Sequence, residues 1–205
     1  ALMTRGYYEM PSDHIYIRPE SWDKPFEAPE HVCSSYDNCH VPWGSTHEKT
    51  WHLVKTLPHV SGLFVWTGFD YVGEPTPYWW PSRSSFFGIV DLAGFPKDVY
   101  YMYKSEWTDE PVLHIFPHWN WKEGEPVDIW AYYNNADEVE LYLNGKSLGV
   151  RQKTDSTYHV SWRVPFTPGT LRARVRPPER ITEIRTIRTA SVNRNGKPTT
   201  EKPWS

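Results

Sequence analysis

Cysteine is nearly absent from this 205-residue chain: only Cys33 and Cys39 occur, six apart in CSSYDNC. Two thiols make no disulfide framework, and His40 beside Cys39 does not complete a four-ligand zinc set. A loop disulfide and two free thiols both stay open. A basic excess is also missing, with 22 Lys and Arg against 25 Asp and Glu and a formal net charge of -3. Nothing in that balance points to nucleic acid or to an anionic membrane surface. The longest apolar runs fall far short of the roughly 20 residues of a membrane-spanning helix. The opening residues, ALMTRGYYEM, have no apolar core of the signal-peptide kind. No His, Cys or carboxylate spacing marks a metal site, and no pattern names a cofactor.

What the chain has in excess is flat rings: 12 Trp, 13 Tyr and 8 Phe, with 19 Pro. Core packing accounts for any single ring. The surplus suits loops that present stiff planar surfaces, on which the C–H faces of sugars stack while indole N–H and phenol O–H groups meet their hydroxyls.

The first hundred residues have an α/β rhythm. After a Pro- and aromatic-rich opening, STHE at 45–48 predicts a capping box, Ser45 and Glu48 satisfying each other's backbone N–H groups. Trp51, Val54 and Leu57 follow at helical spacing, and Pro58 ends the helix. VSGLFVW at 60–66 is an almost unbroken apolar run, as expected for a strand covered on both faces. A second helix is predicted from Pro96, with Tyr100, Tyr103 and Trp107 as its apolar stripe. Helix, buried strand, loop, helix is the grammar of a parallel α/β structure, in which the loop after the strand carries the chemistry. A parallel sheet of one or two strands cannot stand alone, and a full barrel takes about 250 residues. Residues 1–108 are therefore expected to be the closing portion of a barrel that begins before Ala1.

From residue 111 the period changes to 2. VLHIF, PVDIWAYY, EVELYLNGKSLGV, YHVSWRVPF and LRARV read as short antiparallel strands, with Asn144-Gly145 as a type I′ hairpin turn. The set predicts an immunoglobulin-like β-sandwich over 111–190, including one more strand near 181–189, and a disordered tail at 191–205.

Candidate site residues cluster in two loops. In GFDYVGEPTPYWWP, after the apolar run, Trp66 is either a core ring at a strand end or a surface under a sugar. Asp70 could take a sugar hydroxyl or, the preferred reading, cap the loop. Glu74 is the one glutamate there. In YDNCHVPWG at 36–44, Asp37, Asn38 and His40 could line a polar pocket, although all are ordinary turn residues. Glycoside hydrolysis needs two carboxyl groups, about 5 Å apart when configuration is retained. No pair among Asp37, Asp70, Glu74 and Asp91 has a spacing that compels the assignment.

The stretches SSYDNCHVPWGSTHEKTW, SGLFVWTGFDYVGEPTPY, SRSSFFGIVDLAGFPKDVYYMYKSEWTDEPVLHIFPHWNW and DEVELYLNGKSLG resemble the bacterial β-galactosidases of glycoside hydrolase family 2. The resemblance implies a retaining exo-acting hydrolase of terminal β-galactosyl residues, of which this chain is the end of the TIM barrel and the next immunoglobulin-like domain. It implies Trp66 as the apolar floor under the sugar and Asp70 as a support of the pocket. The family's acid/base glutamate lies in an Asn-Glu pair, a dipeptide that does not occur here. The nucleophile lies in a Ser-Glu segment that the resemblance places before Ala1; the Ser105-Glu106 pair matches another part of the family. No catalytic residue is therefore expected within the chain, and the implied partners are a carbohydrate substrate and the preceding part of the enzyme. A homo-oligomer is left open, and exported relatives suggest the periplasm or secretion. Two departures stand out: tryptophan at both 79 and 80, and the tail after Arg176. The alternatives are a β-glucuronidase or β-mannosidase of the same family, or a carbohydrate-binding module without chemistry.

Overall fold

The computed structural model describes residues 36–37, 45–75, 80–81, 83–176 and 184–188. The chain divides into two compact units, one formed by residues up to Glu110 together with Thr154–Tyr158, the other by Pro111–Lys153 and His159 onward.

The second unit is an antiparallel β-sandwich. Its strands are β1 (Leu113–Phe116), β2 (Pro126–Tyr133), β3 (Glu138–Leu143), β4 (Lys146–Arg151), β5 (Val160–Pro165), β6 (Thr170–Arg176) and β7 (Ile184–Arg188). One sheet has the order β1-β2-β5, the other β4-β3-β6-β7. The cause is the period-2 pattern. In β5, Val160, Trp162 and Val164 are buried and the residues between them exposed; in β6, Leu171, Ala173 and Val175 alternate with exposed Arg172 and Arg174. The inward rows meet Ile129, Val139 and Leu141 in one core, with Trp119 fully buried among them. Buried indoles keep their donors satisfied: Trp119 Nε1 donates to the Thr167 carbonyl at 3.0 Å and Trp162 Nε1 to that of Gly149 at 3.1 Å. Asn144 and Gly145 have φ of 51° and 82°, as the type I′ turn between β3 and β4 requires.

The first unit holds two helices, α1 (His47–Thr56) and α2 (Asp98–Trp107). Glu106 on α2 accepts both the Trp51 indole N–H (3.1 Å) and the Lys55 ammonium (2.9 Å) from α1, while Trp51 and Trp107 meet edge to face at 5.8 Å. The expected capping box at 45–48 does not form. Thr46 is the N-cap and makes no side-chain bond, because Asp37 has taken the task from outside the helix. The Glu48 carboxylate instead accepts the Tyr158 N–H at 3.3 Å. The buried face of α2 is Val99, Met102, Tyr103 and Ser105, so only Tyr103 of the expected stripe is buried; Tyr100 is half-buried and Trp107 is 49% exposed.

The strand expected over residues 60–66 is also not formed. Among the described residues, no backbone group of residues 61–66 takes part in a hydrogen bond. Leu63 and Val65 are half-buried, Phe64 is fully exposed and Trp66 is 55% exposed. A strand needs a neighbour for its N–H and C=O groups, and among the described residues none is present beside this run. Pairing begins one residue later. Thr67 N–H donates to the Phe87 carbonyl and Ile89 N–H to that of Thr67, both at 3.0 Å, with single bridges joining Phe69 to Val90 and Val72 to Ser84. These bonds fasten the loop after Trp66 onto residues 83–91.

Candidate active-site loop

Trp66 joins Thr67 through a cis peptide bond, and its indole N–H donates to the Tyr71 hydroxyl at 3.2 Å. The two rings stand edge to face, 6.2 Å apart at 88°. The Tyr71 hydroxyl in turn donates to Glu74 Oε2. Burial, then the hydrogen bond to the Glu74 carboxylate, raises the Tyr71 pKa, so its proton stays in place as a link between the two side chains. Glu74 reaches that position from a left-handed backbone, with φ of 47° after Gly73 at 102°. The result is a half-exposed indole whose edge is fixed by Tyr71 and whose face is free to stack.

Beneath this loop lies a buried ion pair. Lys97 Nζ is 2.8 Å from each carboxylate oxygen of Asp70, and the two side chains are 1% and 8% exposed. Lys97 also donates to the Phe86 carbonyl at 3.2 Å, and Asp70 Oδ1 accepts the Gly88 N–H at 2.8 Å. Residue 88 has to be glycine, since a Cβ there would lie 2.1 Å from the Asp70 amide nitrogen. Asp70 is thus the strut that joins the loop to residues 86–88 and to the start of α2.

Asp37 stands at the N-terminus of α1, its Oδ1 accepting the His47 N–H at 2.9 Å and its Oδ2 the Glu48 N–H at 2.7 Å. These donors favour the carboxylate, but burial and repulsion by Glu48 outweigh them and lift its pKa to about 7. His47 is fully buried, with Nδ1 2.8 Å from the Tyr103 hydroxyl and Nε2 without a hydrogen-bond partner among the described residues. Burial first, then the nearby Lys97 charge, pushes its pKa down to about 3. Burial and the Asp37 charge hold Tyr103 protonated, far above the usual phenol range.

Of the residues singled out by sequence, Trp66 and Asp70 belong to one hydrogen-bonded loop, and Asp37 to the helix cap. Asn38 and His40 lie outside the described residues, as do Cys33, Cys39, Trp79 and the tail at 191–205. Sequence reasoning missed the parts played by Tyr71, Lys97, His47 and Tyr103. For Lys97 the signal was a cation in the first turn of a helix predicted from Pro96, although its partner lies 27 residues away. For Tyr71 nothing distinguished one ring among so many. Among the described residues no group of three or more His, Cys, Asp or Glu side chains could hold a metal, and no helix is long and apolar enough to cross a membrane.

A half-exposed Trp, a Tyr–Glu hydrogen bond that orients it and a buried ion pair below make up this loop. Comparisons with known proteins supply the family. Residues 124–178 match the model of a domain of unknown function, DUF4982. The chain is 60% identical over 198 residues to Beta-galactosidase BoGH2A of Bacteroides ovatus, covering 97% of this chain and 23% of that protein. It is 31% identical over 140 residues to a beta-glucuronidase of Bacteroides fragilis, covering 64% of this chain and 19% of that one. Among solved structures, a beta-glycosidase from Bacteroides vulgatus superposes with a TM-score of 0.69 at 37% identity, over 85% of this chain and 21% of that one. The chain is a piece of a glycoside hydrolase. It belongs to glycoside hydrolase family 2, and it spans about a fifth of the length of the curated relatives it matches.

Proposed function

We propose that the longer protein hydrolyses terminal β-galactosyl residues of glycans, with retention of configuration through a covalent glycosyl-enzyme. In this reading residues 1–108 are the end of its barrel and residues 111–190 the sandwich that follows. The observation that carries it is the 60% identity, across nearly the whole chain, to a protein named as a β-galactosidase. Trp66 forms the floor under the sugar, and its indole face supplies apolar contact without charge. Asp70 serves the pocket as its support and Asp37 supports it from the cap of α1, while Asn38 and His40 form its polar side. The apolar run at 61–66 takes its sheet partners from the longer protein, which also supplies both catalytic glutamates. Glu74, already accepting the Tyr71 hydroxyl, orients rather than reacts.

The β-glucuronidase alternative has one observation in its favour, the 31% identical relative of that name. Against it, two cations near the loop among the described residues are engaged: Lys97 by Asp70, and Arg83 over the Trp80 ring at 4.7 Å. A uronate would need a cation of its own. The test is turnover of p-nitrophenyl β-galactoside and β-glucuronide by the longer protein. The galactoside is expected to be preferred, and Trp66→Ala to lower its kcat/KM by roughly 10²-fold, the cost of a displaced ring. The chain alone should turn over neither. Turnover by the chain that disappears on Glu74→Gln would overturn this division of labour and make Glu74 a catalytic group.

A further inference from the structure

The sandwich carries a cationic cavity that the hydrolytic reading does not use. Strand β6 turns Leu171, Ala173 and Val175 inward and Arg172 and Arg174 outward, both exposed. The register sets Tyr142 of β3 opposite Arg172, and Arg188 of β7 opposite Thr170. These side chains, with the Asn144-Gly145 turn, line a cavity of about 590 Å³. That volume is in the range of small-ligand sites, roughly 300–1,000 Å³.

Two features separate this cavity from an ordinary solvated face. Arg172, Arg174 and Arg188 have no ion-pair or hydrogen-bond partner among the described residues, whereas Arg163 on the other sheet makes two bonds to Asp128, at 2.8 and 2.7 Å. The register partner of Arg174 is Glu140, a buried carboxylate whose Oε1 accepts the Ser147 hydroxyl at 2.6 Å. It offsets part of the charge, yet three guanidiniums around one concavity still concentrate positive potential there. The rim is also fixed. Asn144 donates to the Pro168 carbonyl at 3.1 Å and accepts the Thr170 N–H at 2.8 Å, and Gly169 leaves no room for a Cβ, which would sit 1.9 Å from Asn144 Oδ1.

We propose that this cavity binds an anionic saccharide, with Arg172, Arg174 and Arg188 holding its carboxylate or sulfate groups and Tyr142 giving a flat face to the ring. Guanidinium forks match both kinds of oxyanion, and a half-buried phenol suits a sugar better than a bare ion. That the anion is carried on a saccharide rests on the glycosidase reading; that the cavity takes an anion does not.

The experiment is calorimetric titration of the full chain with trigalacturonate, a sulfated galactan tetrasaccharide, neutral galactotetraose, inorganic sulfate and a DNA duplex, at two salt concentrations. Binding of at least one anionic saccharide is expected, weakened by salt, with the first two probes separating carboxylate from sulfate. Arg172→Ser and Arg174→Ser should each weaken it about tenfold, the size of one charge-assisted hydrogen bond, without changing the near-UV circular dichroism. Arg163→Ser should leave it unchanged. Failure of both anionic saccharides to bind, or equal binding of galactotetraose, would overturn the proposal. So would inorganic sulfate or DNA binding as tightly as the saccharides. Because the readout is binding, a longer protein that cleaves galactosides without binding these probes counts against this cavity alone. Probe binding without galactosidase activity counts against the hydrolytic reading alone.

Discussion

The two units solve the same problem with opposite success. Around one core the sandwich pairs its strands into two sheets and buries most of its inward positions. The first unit pairs two helices and a loop but leaves Phe64, Trp66, Phe69, Val72, Leu92 and Phe95 exposed. Burying one such side chain is worth about 1.5–3 kcal/mol. In the reading proposed above, a row of them in water is a surface that the longer protein covers. What holds the first unit's loop in shape is largely polar: the Asp70–Lys97 pair, the Asp37 cap and the Tyr71 link. The difference teaches that the sandwich rests on buried area, whereas the first unit adds to a smaller buried cluster (Phe87, Val99, Met102 and Tyr103) a few specific electrostatic contacts, and each kind fails in its own way.

The largest expected effect follows from the ion pair. Lys97→Met removes the cation and leaves Asp70 buried beside the Gly88 N–H alone, at a cost of about 3–5 kcal/mol. Denaturant unfolding should show the loss in the first unit, with the sandwich transition unmoved. Lys97→Met combined with Asp70→Asn should recover most of it, because no uncompensated charge remains. A double variant as unstable as the single one would mean that Lys97 matters through packing.

Next in size is the pH response of the α1 N-terminus, on the order of 1–3 kcal/mol per group. His47 has a pKa of about 3 when folded and an ordinary one when unfolded, so the unfolded chain binds the extra proton as pH falls from about 6.5. Its contribution to stability is lost on acidification through that window. Asp37 works the other way: with a folded pKa of about 7, the folded chain keeps a proton that the unfolded chain sheds above about 4. Stability from that source falls as pH rises from 4 to 7. The two slopes oppose each other in the wild-type chain, and single substitutions should separate them. Asp37→Asn should leave a first unit that weakens only towards acid, His47→Gln one that weakens towards neutrality. Fluorescence-monitored urea midpoints between pH 4 and 7.5 would read both slopes. No such pattern is expected for the sandwich.

These contacts also show what the sequence could and could not disclose. The sandwich was legible because strand burial has period 2 and is written locally: Val160, Trp162 and Val164, or Leu171, Ala173 and Val175, announce their inward face without knowledge of any partner. The Asn144-Gly145 turn was equally local. The same alternation placed Arg172 and Arg174 on the outward face, but the net charge of -3 averaged that patch away. In the first unit the local signals competed. Ser45 and Glu48 fit a capping box, yet Asp37, ten residues ahead of His47, satisfies the helix N-terminus instead. The Asp70–Lys97 and His47–Tyr103 contacts join residues 27 and 56 apart, and no spacing rule reaches that far. The run at 60–66 has a strand's composition but, among the described residues, no strand's hydrogen bonds, because composition says nothing about whether a neighbour is present.

The smallest expected effect is the sharpest test of the contrast. Phe64 is fully exposed in this chain, so Phe64→Ser should change its stability by no more than about 0.5 kcal/mol. Leu141→Ala in the sandwich core should cost about 2–5 kcal/mol in the same assay. In the longer protein the two should converge. If residues 61–66 pair there with neighbouring strands, Phe64 becomes a core ring, and Phe64→Ser leaves a cavity and a buried hydroxyl. The chain and the longer protein then disagree about the same substitution by several kcal/mol, and that disagreement measures how much covering the run receives. A Phe64→Ser as harmless in the longer protein as in the chain would mean that the run stays uncovered in both. The exposed rings from Phe64 to Phe95 would then be a surface of the finished molecule rather than an interior awaiting its other half.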